Sequence, residues 1–85
     1  MKPLWFCSIV DKHKPEGEGF IGAVIREAAD AETAMDEVSR MFPETCLEIL
    51  TVPIPPEDER TARSNIDQLL SKTTIESLFG PVERV

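Results

Sequence analysis

The chain has 85 residues, a formal net charge of −7, 41% apolar residues and 29% charged residues. This composition is typical of one globular domain and excludes the intrinsically disordered class. A chain this short buries only a thin core, which disfavours a deep, enclosed active site.

Two apolar segments near the N terminus are predicted to form a β-hairpin. Residues 4–10 are rich in aromatic and β-branched side chains and nearly continuous in hydrophobicity, as in a strand that is covered on both faces. Residues 20–26 have the same character, and Gly22 within them indicates a bulge or a close backbone approach. The second segment is therefore predicted to be the other arm of the hairpin.

The connection between these two strands, residues 11–19, is polar throughout and long for a hairpin. Hairpin loops usually have about two to five residues, and longer loops in small domains are either functional contacts or flexible segments. We therefore treat this loop as a candidate contact surface. Its candidate partner-binding residues are Lys12, His13, Lys14, Glu16 and Glu18.

An amphipathic helix is predicted after the hairpin, because Asp30 suits an N-cap and Pro43 ends a helix. Its apolar residues fall on one stripe: Ala31, Ala34, Met35, Val38, Met41 and Phe42. The opposite arc is acidic, and Asp36 can pair with Arg40 one turn later. The acids Glu32, Asp36 and Glu37 complete the candidate partner-binding set.

The third predicted strand is 46–52, before a proline-rich segment that cannot continue a sheet ladder. A helix that connects the second and third strands as a right-handed crossover makes these strands parallel. The first strand then lies between them, antiparallel to both. The predicted fold class is α+β, a small three-stranded sheet of order 2-1-3 with one packed helix, formed by residues 1–55.

Residues 56–85 are predicted to be a helical C-terminal extension. Ala62, Ile66, Leu69 and Leu70 share a helical face, and 73–76 has a capping-box pattern before a stop signal at Gly80 and Pro81. We expect Ile66, Leu69, Leu70, Leu78 and Phe79 to dock on the domain or on a second copy of it.

The sheet face opposite the helix needs such a cover, because strand alternation places Leu4, Phe6, Ser8 and Val10 on it. Either the extension or a second subunit is expected to cover this face. The residues predicted to be mostly buried in the fold are Trp5, Phe6, Ile9, Val24, Ile25, Met35, Val38, Phe42, Leu47 and Ile49.

No residue pattern indicates catalysis, a metal or a cofactor. His13 is the only histidine, and it has lysines on both sides and no recognisable nucleophile elbow nearby. A zinc site built from His13, Cys7 and Cys46 matches none of the usual ligand spacings. The glycines at 17, 19 and 22 precede a strand instead of opening a helix, which disfavours a phosphate loop.

The two cysteines, Cys7 and Cys46, are interpreted as buried thiols within strands in a reducing compartment, with a disulfide between them as the alternative. The apolar stretch 3–10 is too short for a membrane span and is not followed by a cleavage site. A cytoplasmic protein without membrane association is therefore expected.

The charge distribution carries more information about partners than any motif. Residues 15–60 contain twelve acids against three arginines. This disfavours direct binding to nucleic acid, which requires clustered lysines and arginines, and favours a partner protein with a basic surface. A net charge far from zero also keeps a small protein soluble, which is the competing interpretation.

In size and charge alone, the chain resembles accessory proteins of phages and mobile elements and immunity-type inhibitors. The expected function is a non-enzymatic protein-binding module that engages a basic partner through loop 11–19 and the acidic helix face. One alternative is a structural module that forms a homodimer through the open sheet face. A less favoured alternative is a small enzyme with His13 in a site at a dimer interface.

Overall fold

The computed structural model describes residues 2–15, 17–43 and 46–80. The elements in chain order are β1 (Leu4–Asp11), β2 (Phe20–Glu27), α1 (Ala31–Met41), β3 (Leu47–Pro53), a 3-10 turn (Pro56–Asp58), α2 (Glu59–Arg63) and α3 (Lys72–Phe79). The predicted α+β class is confirmed. The three strands lie within one residue of their predicted bounds at each end.

The sheet has the predicted order, β2-β1-β3, and β1 is antiparallel to both of its neighbours. The ladder between β1 and β2 contains one irregularity, since Ile9 lies opposite Gly22 whereas Val10 lies opposite Phe20. The extra residue, Ile21, forms a β-bulge beside Gly22.

Gly22 is also a point of close backbone approach. A Cβ atom at this position would lie 2.8 Å from the Leu70 carbonyl oxygen and 2.9 Å from the Leu69 side chain. Any larger residue would push the C-terminal segment away from β2. Both structural roles predicted for Gly22, a bulge and a close approach, therefore meet at this end of the strand.

Helix α1 begins as the sequence predicts. The Asp30 carboxylate accepts a hydrogen bond of 2.8 Å from the Thr33 N–H. Ala34 and Val38 are buried against the sheet, but the predicted burial of Met35 is wrong, because this residue is 41% exposed. Met35 lies about 100° from Ala34 around the helix, at the margin of the apolar stripe, and the sheet does not extend far enough to cover it.

The Asp30 cap makes stability depend on pH. Hydrogen bonds from Thr33 hold the pKa of Asp30 below its ordinary value. The stabilisation of the folded state by the ionised Asp30 carboxylate is therefore complete above the unfolded-state pKa. It is lost as pH falls through the lower, folded-state pKa. Asp30→Ala should lower the melting temperature at pH 7, and the difference from the native chain should narrow below about pH 4.

Asp30→Asn is the matched control for this prediction, because asparagine also caps helices but does not titrate. The Asn variant should melt close to the native chain at neutral pH. A constant temperature difference between Asp30→Ala and the native chain from pH 7 to pH 2 would show that ionisation of the Asp30 carboxyl does not contribute to stability.

Buried residues form two clusters, one on each face of the sheet. The cluster beneath α1 consists of Cys7, Ile9, Val24, Ala28, Ala34 and Val38. The cluster on the opposite face consists of Leu4, Ala23, Ile25, Ala62, Leu70 and Ile75. Of the residues predicted to be buried, Ile9, Val24, Ile25 and Val38 are buried, whereas Trp5, Phe6, Phe42, Leu47 and Ile49 are half-buried.

The C-terminal segment differs from its predicted helical form. Helix α2 ends at Arg63, and residues 66–70 run along the outer edge of β2. The Leu70 N–H donates to the Ala23 carbonyl at 2.7 Å, and the Ala23 N–H donates to the Leu70 carbonyl at 2.9 Å. Satisfying the unpaired backbone groups of this edge outweighs the local helical pattern. Leu69, which was expected to dock, is exposed.

Helix α3 begins two residues before the capping box that predicted it. Ser71 is the N-cap, and its hydroxyl accepts a hydrogen bond of 3.2 Å from the Thr74 N–H. The predicted stop is confirmed, since Gly80 ends the helix with a φ of 88°. The described helices include none that is long and apolar enough to cross a bilayer.

Ion pairs connect the C-terminal segment to both the sheet and α1. The Arg26 guanidinium on β2 bonds to Glu37 on α1 at 2.8 Å and to Asp67 at 2.9 Å. Asp67 has a φ of 63°, so its backbone is in the left-handed region where an aspartate is tolerated in a tight turn. Arg26 therefore holds this turn against the sheet.

Candidate functional site

The predicted contact loop is a compact turn at one end of the sheet. The Asp11 N–H donates to the Gly19 carbonyl at 2.8 Å, which closes the loop at its base. The His13 N–H donates to the Asp11 carboxylate at 2.9 Å. Lys12, His13, Lys14 and Glu18 are exposed, and Glu16 lies outside the described residues.

The loop belongs to the side of the molecule opposite α1. Lys12, Lys14 and Gly17 line a concave surface of about 410 Å³ together with Val10 and Phe20. Val10 and Phe20 project from the sheet face that does not carry α1. The loop lysines are therefore neighbours of an apolar sheet surface and are separated from the acidic outer face of the helix.

The three acids predicted on α1 have different environments. The Asp36 carboxylate forms the predicted pair with Arg40 at 2.6 Å, on the exposed surface. Glu37 is half-buried and bonds to Arg26, whereas Glu32 is exposed and forms no ion pair with another described residue. The structure thus divides the predicted partner-binding residues into two surfaces, the loop on one face and these acids on the other.

A groove runs between α1 and β3, with a volume of about 750 Å³. We call it the edge groove. Its apolar lining comes from Met35, Leu47 and Ile49, and acidic side chains Glu32 and Asp36 border it on the helix. The exposure of Met35 is explained by its position in this groove. The groove combines a hydrophobic floor with negative charge.

The strand that borders the edge groove, β3, has an open backbone edge. The Ile54 N–H donates to the Leu4 carbonyl and the Lys12 N–H donates to the Cys46 carbonyl, which fixes the alternation of the ladder. In an antiparallel pair, alternate residues direct their backbone groups away from the neighbour. Leu47, Ile49 and Thr51 therefore direct theirs outward, and within the described chain no segment pairs with them.

The other face of β3 is apolar apart from exposed Glu48, which lies opposite Val10 of β1. Leu50 is 50% exposed and Val52 is 52% exposed. The C-terminal segment covers the far side of this sheet face, over β2, and leaves these two residues half-exposed. We use the term open sheet face for the incompletely covered part formed by Phe6, Ser8, Val10, Phe20, Leu50 and Val52. The predicted homodimer through this face stays a prediction.

The potentially reactive side chains do not converge. The Thr51 hydroxyl donates to the Cys7 sulfur at 3.7 Å, and burial raises the pKa of this thiol, which disfavours the nucleophilic thiolate. Both cysteines are free, so the alternative of a disulfide is not realised, and Cys46 is half-buried just before β3 instead of within it. Among the described residues, no group of three potential ligands is placed to hold a metal ion.

Comparisons with protein-family models, with curated proteins and with solved structures find no match to this chain.

Sequence reasoning identified the acidic helix face but missed the edge groove. Two sequence signals bear on the groove: the strand order, which places β3 at an edge, and Pro53, which is tolerated in a strand only where its missing N–H is not required. The pairing register, which decides whether Ile49 or Leu50 directs its backbone outward, is visible only in the structure.

Proposed function

We propose that the protein is a non-enzymatic binding module that captures a basic, extended segment of a partner protein along β3. The observation that carries this proposal is the open edge of β3 beside the acidic edge groove. An extended peptide can hydrogen-bond to such an edge as an added strand, and side-chain pockets then supply specificity.

The two faces of β3 specify the pattern of the captured segment. Side chains of an added strand alternate between the faces of the sheet. Those on the helix side would lie near Glu32 and Asp36, which attract lysine or arginine. Those on the other side would lie beside exposed Leu50 and Val52. A segment that alternates basic and apolar residues therefore satisfies both faces.

Arg40 limits the strength of the proposed interaction. Its ion pair with Asp36 must open or be shared when a partner cation arrives, and both side chains are exposed. Exposed ion pairs contribute roughly 0–1 kcal/mol, so the exchange costs little. Backbone pairing to β3 then supplies much of the affinity, and the acids mainly accelerate association and select the sign of the partner's charge.

The environment of the potentially reactive groups supports a binding role over an enzymatic one. His13 is exposed on the loop, and Cys7 is buried on the opposite side of the sheet from that loop's apolar neighbours. Among the residues that the structure describes, none is positioned to activate either side chain. The accessory or inhibitor role suggested by size and charge belongs to the same proposal.

The proposal is tested with a short synthetic peptide that alternates lysine and valine, and with a matched peptide that alternates glutamate and valine. Titration calorimetry should detect binding of the lysine peptide only. Its affinity should fall between 0.01 M and 1 M salt, where the Debye length shrinks from about 30 Å to about 3 Å. Replacing both Glu32 and Asp36 by lysine should weaken binding on the order of tenfold at low salt.

Two control variants isolate the edge groove. Glu76→Lys changes the net charge in the same direction at an exposed position of α3. It should leave the affinity within about twofold of the native value. His13→Ala should also have little effect. Equal binding of both peptides, or equal losses in the Glu76→Lys and groove variants, would show that net charge and not the groove governs binding.

A further inference from the structure

The open sheet face contains a cavity that the proposed function does not use. Its volume is about 430 Å³, within the range of about 300–1,000 Å³ that small-molecule sites occupy. Residues from all three strands, the loop and α3 line it: Phe6, Ser8, Val10, Gly17, Phe20, Leu50, Lys72 and Ile75. The cavity lies on the face of the sheet away from the edge groove.

Among the described residues that line this cavity, Lys72 is the charged one. Lys72 is the first residue of α3, and no described carboxylate pairs with it. The N-terminal end of the helix adds a partial positive charge at the same place. The other described lining side chains are hydrophobic apart from Ser8, so the described lining combines an apolar body with one cationic residue.

We propose that this cavity binds a small amphipathic anion, with its acidic head at Lys72 and its hydrocarbon body against Phe6, Val10, Phe20 and Leu50. The acidic head of the ligand supplies a negative charge for Lys72, with which no described carboxylate pairs. Covering the half-exposed Phe20 and Leu50 removes apolar surface from water, which contributes about 25 cal/mol for each Å² buried. An uncharged hydrocarbon would obtain only the second contribution.

A second copy of the chain is the competing occupant, and the charge of the cavity disfavours it. Two identical cavities in contact would each bring Lys72, and their described lining contains no carboxylate to pair with it. A concave site with one cation fits a small ligand better.

The test uses two probes, the fluorescent anion 8-anilinonaphthalene-1-sulfonate and the fatty acid dodecanoate, with dodecanol as the uncharged counterpart. The dye should bind with increased emission, and dodecanoate should displace it more effectively than dodecanol does. Lys72→Gln should weaken dodecanoate binding about two- to fivefold, the range of an exposed ion pair, and leave dodecanol unchanged. Lys2→Gln is the matched control and should change neither affinity.

Phe20→Glu removes an apolar wall and adds a repelling charge, so it should abolish displaceable dye binding. Its melting temperature shows whether it remains folded, and the surface change Lys72→Gln gives an independent result if it does not. The proposal would be overturned if Lys72→Gln lowered the affinities for dodecanoate and dodecanol equally. It would also be overturned if the native chain showed no displaceable dye binding. A dimeric mass by light scattering, with dye binding only to a monomeric variant, would assign the face to a second copy instead.

Discussion

A chain that ends after Pro56 is expected to lose its stable fold. The missing segment contributes Ala62, Leu70 and Ile75 to the buried cluster beneath β1 and β2, and half-buried Ile66 and Phe79 pack against it. Burying one large apolar side chain contributes about 1.5–3 kcal/mol, whereas the total stability of a domain is about 5–15 kcal/mol. Losing several such residues removes most of that total.

Truncation also exposes what the segment covers. Leu4, Ala23 and Ile25 would face water, and the outer edge of β2 would lose its hydrogen bonds to Asp67 and Leu70. Circular dichroism should show no cooperative melting, and light scattering should show association through the exposed apolar surface. A chain that ends after Gly80 keeps every contact described and is the matched control. A monomeric truncated chain with the native melting temperature would show that the segment does not stabilise the sheet.

Replacing Ile25 by alanine is expected to cost about 2–5 kcal/mol of unfolding free energy, the range for a large-to-small change in a fully buried site. Ile25 has 0% exposure and packs between β1 and the C-terminal segment. Phe42→Ala would cost about 3–5 kcal/mol if that ring were fully buried. Because Phe42 is half-buried at the end of α1, its loss should fall below that range.

Urea denaturation of the two variants under the same conditions measures this difference. The order of the two costs is more informative than either value, since it separates a central core position from a marginal one. A larger cost for Phe42→Ala than for Ile25→Ala would mean that the end of α1 is the centre of the core.

Local patterns account for much of the fold. The three strands follow from short apolar runs between polar or proline-rich segments, and α1 follows from Asp30, one apolar stripe and Pro43. The crossover rule then gives the sheet order. The structure confirms these inferences. Each depends only on neighbours in sequence or on a general constraint of handedness, so none required knowledge of distant contacts.

Residues 66–70 show where local patterns fail. The spacing of Ala62, Ile66, Leu69 and Leu70 fits a helix, yet Ile66 and Leu70 instead pair with Ile25 and Ala23 on the edge of β2. The deciding interaction joins residues more than forty positions apart in sequence. Met35 is a similar case, because the width of the sheet under α1, and not the helical stripe, decides whether this side chain is covered.

The candidate site was predictable in its charge but not in its shape. The acids Glu32 and Asp36 are evident from helical spacing. Their value for binding depends on the neighbouring edge of β3, and the direction of its backbone groups depends on the register with β1. The long loop 11–19 lies on the other side of the sheet and borders the cavity proposed to hold an anion.

Amide hydrogen exchange of the protein, measured with and without the peptide that alternates lysine and valine, tests the edge groove most directly. The amides of Ile49 and Thr51 point outward and should exchange quickly in the free protein, whereas those of Leu50 and Val52 are directed toward β1 and provide an internal reference. Strand addition predicts that the peptide slows exchange at Ile49 and Thr51 and leaves the reference amides unchanged. Slowed exchange confined to residues 12–19, with Ile49 and Thr51 unaffected, would contradict the proposed function and place binding at the loop.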